Sequence, residues 1–95
     1  MILRNLHTEN KPVQTQLLFE PKDAKVISLQ IAKGEILKEH LSKIPALLVC
    51  ISGNAVFTDE NGIVVNLNSG TYVMIEENVK HAVKAIEESN FLLMK

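Results

Sequence analysis

The chain has 95 residues, with ten basic and eleven acidic side chains and a formal net charge of −1. A chain of this size supports one domain around one modest core, and its scattered, nearly balanced charge lacks the basic stripe of a nucleic-acid binder. A single cysteine excludes an internal disulfide; no signal peptide or run long enough for a membrane-spanning helix is visible, so a soluble, cytoplasmic protein is expected.

Residues 1–12 are weakly patterned. Met1, Ile2, Leu3 and Leu6 offer apolar contacts before a polar stretch that closes at Pro12. Val13–Glu20 reads as a first strand, stopped by Pro21. Lys25–Lys33 alternates, with Ile27, Leu29 and Ile31 on one face, and Gly34 ends it. Glu35–Leu41 is a shorter extended piece; its helix-favouring Glu, Leu and Lys are outweighed by Pro45 and by strand-like flanks.

Ala46–Ser52 is apolar on both faces and so requires cover on both. The second cover is expected to be another sheet or another subunit. Asn54–Thr58 and Ile63–Leu67 flank Asp59-Glu60-Asn61-Gly62, a hairpin signal because Asn-Gly reaches positive φ at low cost. Asn68-Ser69-Gly70 turns the chain into Thr71–Ile75, a turn at 76–80 precedes His81–Ile86, and Asn90–Met94 closes the run. Many short strands at regular spacing predict a β-sandwich or barrel.

The glycines and histidines fall in a frame. Gly34 is followed by five residues and then His40; Ser42 lies two further on, and Ala46 stands six intervening residues before Gly53. Gly70 is followed by five residues, then Glu76, with Asn78 two further on and His81 after two more intervening residues; Ala85 comes three intervening residues later. This spacing resembles the two motifs of the cupin family. Three framing glycines and two histidines match. Ser42 stands at the motif's second histidine, Ala46 at its glutamate, Glu76 and Asn78 at its proline and glycine, and Ala85 at its asparagine.

The resemblance implies an all-β, single-domain cupin-type barrel, a double-stranded β-helix or jelly roll. Residues 24–95 would form the barrel core, and residues 1–23 an N-terminal arm carrying the first strand. It also implies that His40 and His81 survive from a metal site whose other two ligand positions hold Ser42 and Ala46. Two histidines fall short of the three or four protein ligands that such sites use. A divalent metal and no cofactor at all are both left open.

The expected function is a small binding or sensing module, with His40, Ser42, Cys50 and His81 as candidate ligand-binding residues for a small polar molecule. Cys50 itself reads as core, because no nearby group would depress its pKa. The competing expectation is a metal-dependent cupin enzyme of dioxygenase or isomerase type that uses His40 and His81. A third is an interaction module whose barrel is filled by Leu48, Val73, Ile75 and Val83. A homodimer is expected through the two-sided strand 46–52 and the N-terminal segment.

Overall fold

The computed structural model describes every residue except 13, 15 and 23, and only the backbone of 39 and 40. Eight strands run β1 (Val26–Ile31), β2 (Ile36–His40), β3 (Ala46–Ser52), β4 (Asn54–Asp59), β5 (Val64–Asn68), β6 (Tyr72–Ile75), β7 (His81–Ala85) and β8 (Ser89–Met94). They form two four-stranded antiparallel sheets, ordered β1-β8-β3-β6 and β2-β7-β4-β5. The fold is therefore the all-β jelly roll expected from the short, evenly spaced strands. Among the described residues, no helix is long and apolar enough to cross a membrane.

The side-chain period of two decides what lies between the sheets. Ala46, Leu48 and Cys50 of β3 point inward, and meet Ala55 and Phe57 of β4, Leu67 of β5, Val73 and Ile75 of β6, Val83 and Ala85 of β7, and Phe91 of β8. Leu48, Val73, Ile75 and Val83 are all members of this packed cluster. The middle of the barrel is thus occupied by side chains.

The other face of β3 carries Leu47 and Val49. These pack with Tyr72 under Leu3, Leu6, Leu18, Phe19 and Met94. A short 3-10 turn, Leu3–Leu6, presents its two leucines to this patch, and Ile2 bridges Thr71 at the edge of β6. The second cover of β3 is therefore the chain's own N-terminal arm. Each large apolar side chain fully buried in this way contributes about 2 kcal/mol.

The arm differs from its expected form. The described residues within 13–20 form no strand; Val13 and Thr15 lie outside the described residues. Leu18 and Phe19 are adjacent yet both pack on the β3 patch, which strict strand alternation would forbid. Ala24, at the passage from arm to barrel, takes the left-handed φ of 54°.

At one end of the barrel the β3–β4 turn presses on the β7–β8 turn. Gly53 has φ 106°, and a Cβ there would meet Ser89 Oγ and lie 2.5 Å from the Glu88 carbonyl. Ser89 is fully buried; its hydroxyl donates to the Glu87 carbonyl at 2.8 Å and accepts from the Asn54 N–H at 3.1 Å. The Gly53→Ala variant is therefore expected to lose on the order of 3 kcal/mol through backbone strain and overpacking. Ser89→Ala, which orphans the Asn54 N–H, is expected to lose about 1–3 kcal/mol. Urea denaturation of both variants checks this; native-like midpoints would show that the two turns do not brace each other.

Candidate functional site

The other end of the barrel is the mouth. His81, the first residue of β7, stands beside Asp59 at the end of β4. Its ring is only 4% exposed. It stacks on Phe57 with ring centroids 5.8 Å apart and an interplanar angle of 23°. Nδ1 lies 3.2 Å from the Val79 carbonyl oxygen. A carbonyl has no hydrogen to give, so Nδ1 carries the proton and donates it.

The loop that ends at His81 is tied down on both sides. Asn78, with φ 60°, donates its N–H to the Ser42 carbonyl at 2.8 Å. Left-handed dihedrals are tolerable for Asn, so it takes over the role the motif gives to glycine. On the other side, Glu60 N–H donates to the Lys80 carbonyl at 2.9 Å, and Lys80 N–H donates to Glu60 Oε1 at 3.2 Å. Asp59 Oδ1 accepts from the N–H groups of Asn61 and Ile63, which closes the β4–β5 hairpin.

His40 reaches this end through a register change. Ile36 and Leu37 pair with Lys84 and Val83, and continuing that register would set residue 39 opposite His81. An irregularity between Leu37 and His40 instead brings the backbone of His40 opposite His81. Such bulges re-aim residues at barrel rims. Strict strand parity alone therefore does not govern this part of β2.

A small cleft of about 90 Å³ opens at the mouth, lined by Leu41, Ser42, Ala46, Ile75, His81, Leu93 and Lys95. Ser42 and His81 thus come together. The Ser42 hydroxyl oxygen accepts from the Ile44 N–H at 3.4 Å. Lys95 was not singled out from the sequence, although the alternation signals it. Phe91 and Leu93 face the core, so Lys95, two further on, shares their face.

Cys50 is not part of this cleft. It is 0% exposed, four residues from Ala46 and thus roughly 13 Å further along β3. Its S–H lies 3.5 Å from the Ser52 carbonyl. Burial pushes the thiol above its ordinary value of 9.0. The thiol is a core group, as the apolar run around it suggests.

The His40 side chain lies outside the described residues, so the donor set is read from the others. No group of three or more His, Cys, Asp or Glu that would hold a metal occurs among the described residues. Ala46 supplies no ligand, and a neutral serine hydroxyl is a poor one for transition metals.

No family model matches the sequence, and no curated protein matches it. Solved structures match the fold. An RmlC-like cupin family protein with a double-stranded β-helix fold from Methanocaldococcus jannaschii is 25% identical at a TM-score of 0.67, over 74% of this chain and 66% of that one. A cupin superfamily protein from Desulfitobacterium hafniense is 20% identical at a TM-score of 0.66, over 94% of this chain and 96% of the other. Bacillus subtilis oxalate decarboxylase, described with Mn(II) centres, is 23% identical at 0.66, over 72% of this chain but only 19% of that enzyme.

Thiol chemistry checks the placement of Cys50. The native chain is expected to resist a soluble disulfide reagent and to react on unfolding. The folded chain holds this proton more tightly than the unfolded chain, so its contribution to stability is full below pH 9.0 and declines as the pH rises above it. Rapid labelling of the native chain at neutral pH would contradict the burial.

Proposed function

Because the chain is a small barrel of the cupin fold, we propose that it is a binding or sensing module, non-catalytic, that takes a small polar molecule at the mouth. The observation that carries this reading is the cleft itself. A nearly buried imidazole and a serine hydroxyl meet there on an apolar floor, while the middle of the barrel is packed. Binding pockets use a few placed polar groups within apolar walls. A cleft of about 90 Å³ has room for about three waters' worth of volume, so the ligand is small.

A second reading, a metal-dependent dioxygenase or isomerase using His40 and His81, draws support from one contact. A metal-ligating histidine commonly donates its other ring N–H to a backbone carbonyl, as His81 does to Val79. The cupin-fold neighbours include a manganese enzyme, which adds to this reading. Among the described residues, which leave out the His40 side chain, the donor set weighs against it.

Elemental analysis of untagged protein separates the two. The binding reading expects no stoichiometric metal, even after incubation with iron, manganese, nickel or zinc. It also expects small polar ligands to raise the melting temperature by mass action, and His81→Ala to abolish that rise. Near-stoichiometric metal that disappears in the His40→Ala, His81→Ala double variant would sink it in favour of the enzyme.

The proposal includes a homodimer, but on different ground from the outer face of β3, which the arm covers. Leu17, Val26 and Met74 remain exposed. Sedimentation at micromolar concentration is expected to show a dimer that Met74→Lys shifts toward monomer; a monomeric native chain would end this part of the proposal.

A further inference from the structure

We infer that the open edge of β1 takes up an extended acidic segment of another protein as an added strand, with carboxylates at its ends and apolar and polar side chains alternating between them. This contact lies apart from the mouth cleft and does not rest on the binding reading above. β1 is the outermost strand of its sheet and, at six residues, the longest of the four edge strands. Lys25 and Lys95 exchange both backbone bonds, the N–H of each donating to the carbonyl of the other at 2.9 and 3.0 Å. Bonded and non-bonded pairs alternate along an antiparallel ladder. Ile27, Leu29 and Ile31 therefore also bond toward β8, while Val26, Ser28 and Gln30 turn their N–H and C=O groups outward. Among the described residues, no backbone group bonds to these three on the open side.

Edge strands normally carry something that blocks a second chain. The β6 edge is held by the arm, since the Tyr72 N–H donates to the Met1 carbonyl and the Leu3 N–H to that of Gly70. β2 carries Lys38 and the irregularity before His40. β1 has no charged residue, no proline and no bulge. It is also open to solvent. Val26, Ser28 and Gln30 are exposed, and Ile27, which shares the inward face with Leu29 and Ile31, is still 37% exposed. An added strand gives the outward backbone groups their partners and sets side chains beside Ile27 and Leu29, as neighbouring strands do on one face.

The charges at the ends of β1 name the occupant. Lys25 and Lys95 stand directly opposite each other at one end, where like charges repel, and Lys33 follows the other end. A carboxylate at each end of the incoming strand meets an ammonium, whereas a basic segment adds to the repulsion. A second copy is a poor occupant for the same reason. Pairing β1 with itself, antiparallel about Leu29, sets the Lys25 end of one copy against the Lys33 end of the other. Between the ends, apolar side chains suit the face of Ile27 and Leu29. Polar ones suit the face of Ser28 and Gln30, where the Gln30 amide donates to Asn90 Oδ1 at 3.0 Å.

The test combines NMR titration and amide hydrogen exchange on the full chain, with capped peptides in which valine and threonine alternate between two end residues. The peptide with aspartate ends is expected to bind saturably, to slow exchange of the Val26, Ser28 and Gln30 amides, and to bind less tightly as salt is added. The same peptide with lysine ends is expected to bind about tenfold more weakly. The aspartate-ended peptide methylated on the backbone nitrogens of one edge, which then cannot donate, is expected not to bind. Ser28→Pro removes one outward N–H without touching the ladder to β8, and is expected to weaken binding about tenfold. Should that variant unfold, the methylated peptide reads the same bonds from the other side. Equal binding of the two charge forms overturns the acidic class. Protection of β5 or β6 amides in place of β1 overturns the edge. Protection of Ser28 and Gln30 that grows with protein concentration, without peptide, hands the edge to a second copy and overturns the occupant. Absence of saturable binding by either peptide overturns the inference and leaves the mouth reading standing.

Discussion

The structure depends on covering both faces of β3. This strand sits inside its sheet, between β8 and β6, and is apolar from Ala46 to Cys50 on either side. An uncovered outer face would hold Leu47 and Val49 in water beside Tyr72. The chain meets this need with its first nineteen residues, which contribute Leu3, Leu6, Leu18 and Phe19. A small domain buries a limited share of its surface, so an arm that gives a second, outer cluster adds cover the barrel alone cannot supply. The same arm holds the edge of β6, through the N–H of Leu3 donating to Gly70 and that of Tyr72 donating to Met1.

Fixing β3 fixes the barrel's two ends. At one end, backbone packs on backbone, since Gly53 admits no side chain against Ser89 and Glu88. At the other, strands β4 and β7 end at Asp59 and His81, and loops take over. The tight end holds the sheets in register. The looser end is where polar groups meet without disturbing the core. Cys50 and His81 are both buried, yet they belong to different ends, and only the imidazole borders a cleft.

Much of this was legible in the sequence. The eight strands follow from alternation and from turn residues, and Ala46–Ser52 has its expected bounds. The inward set Leu48, Val73, Ile75 and Val83 follows from the same period. The arm was less legible, because Leu18 and Phe19 pack through irregular backbone, for which no periodic signal exists. The partner of β3 was equally hidden: apolarity on two faces demands cover without naming it. At the site, the spacing marked Ser42 and His81, which meet. It also offered Cys50, which shares their strand parity but not their height along the barrel. Parity says which face a residue takes and nothing about depth. Lys95 was overlooked because it lies beyond the last apolar residue, where the alternation still runs but the hydrophobic signal stops.

The residues that remain at the mouth follow from what a buried group requires. A glutamate at position 46 would be an anion against Ile75 and Leu93, and without a cation beside it the cost of desolvation is severe. Ala46 carries no such cost. An imidazole is different, because it can be neutral, and here the Val79 carbonyl and the Phe57 ring both help to hold it. The presence of His81 is therefore weak evidence for a metal, and the presence of Ala46 is the stronger observation.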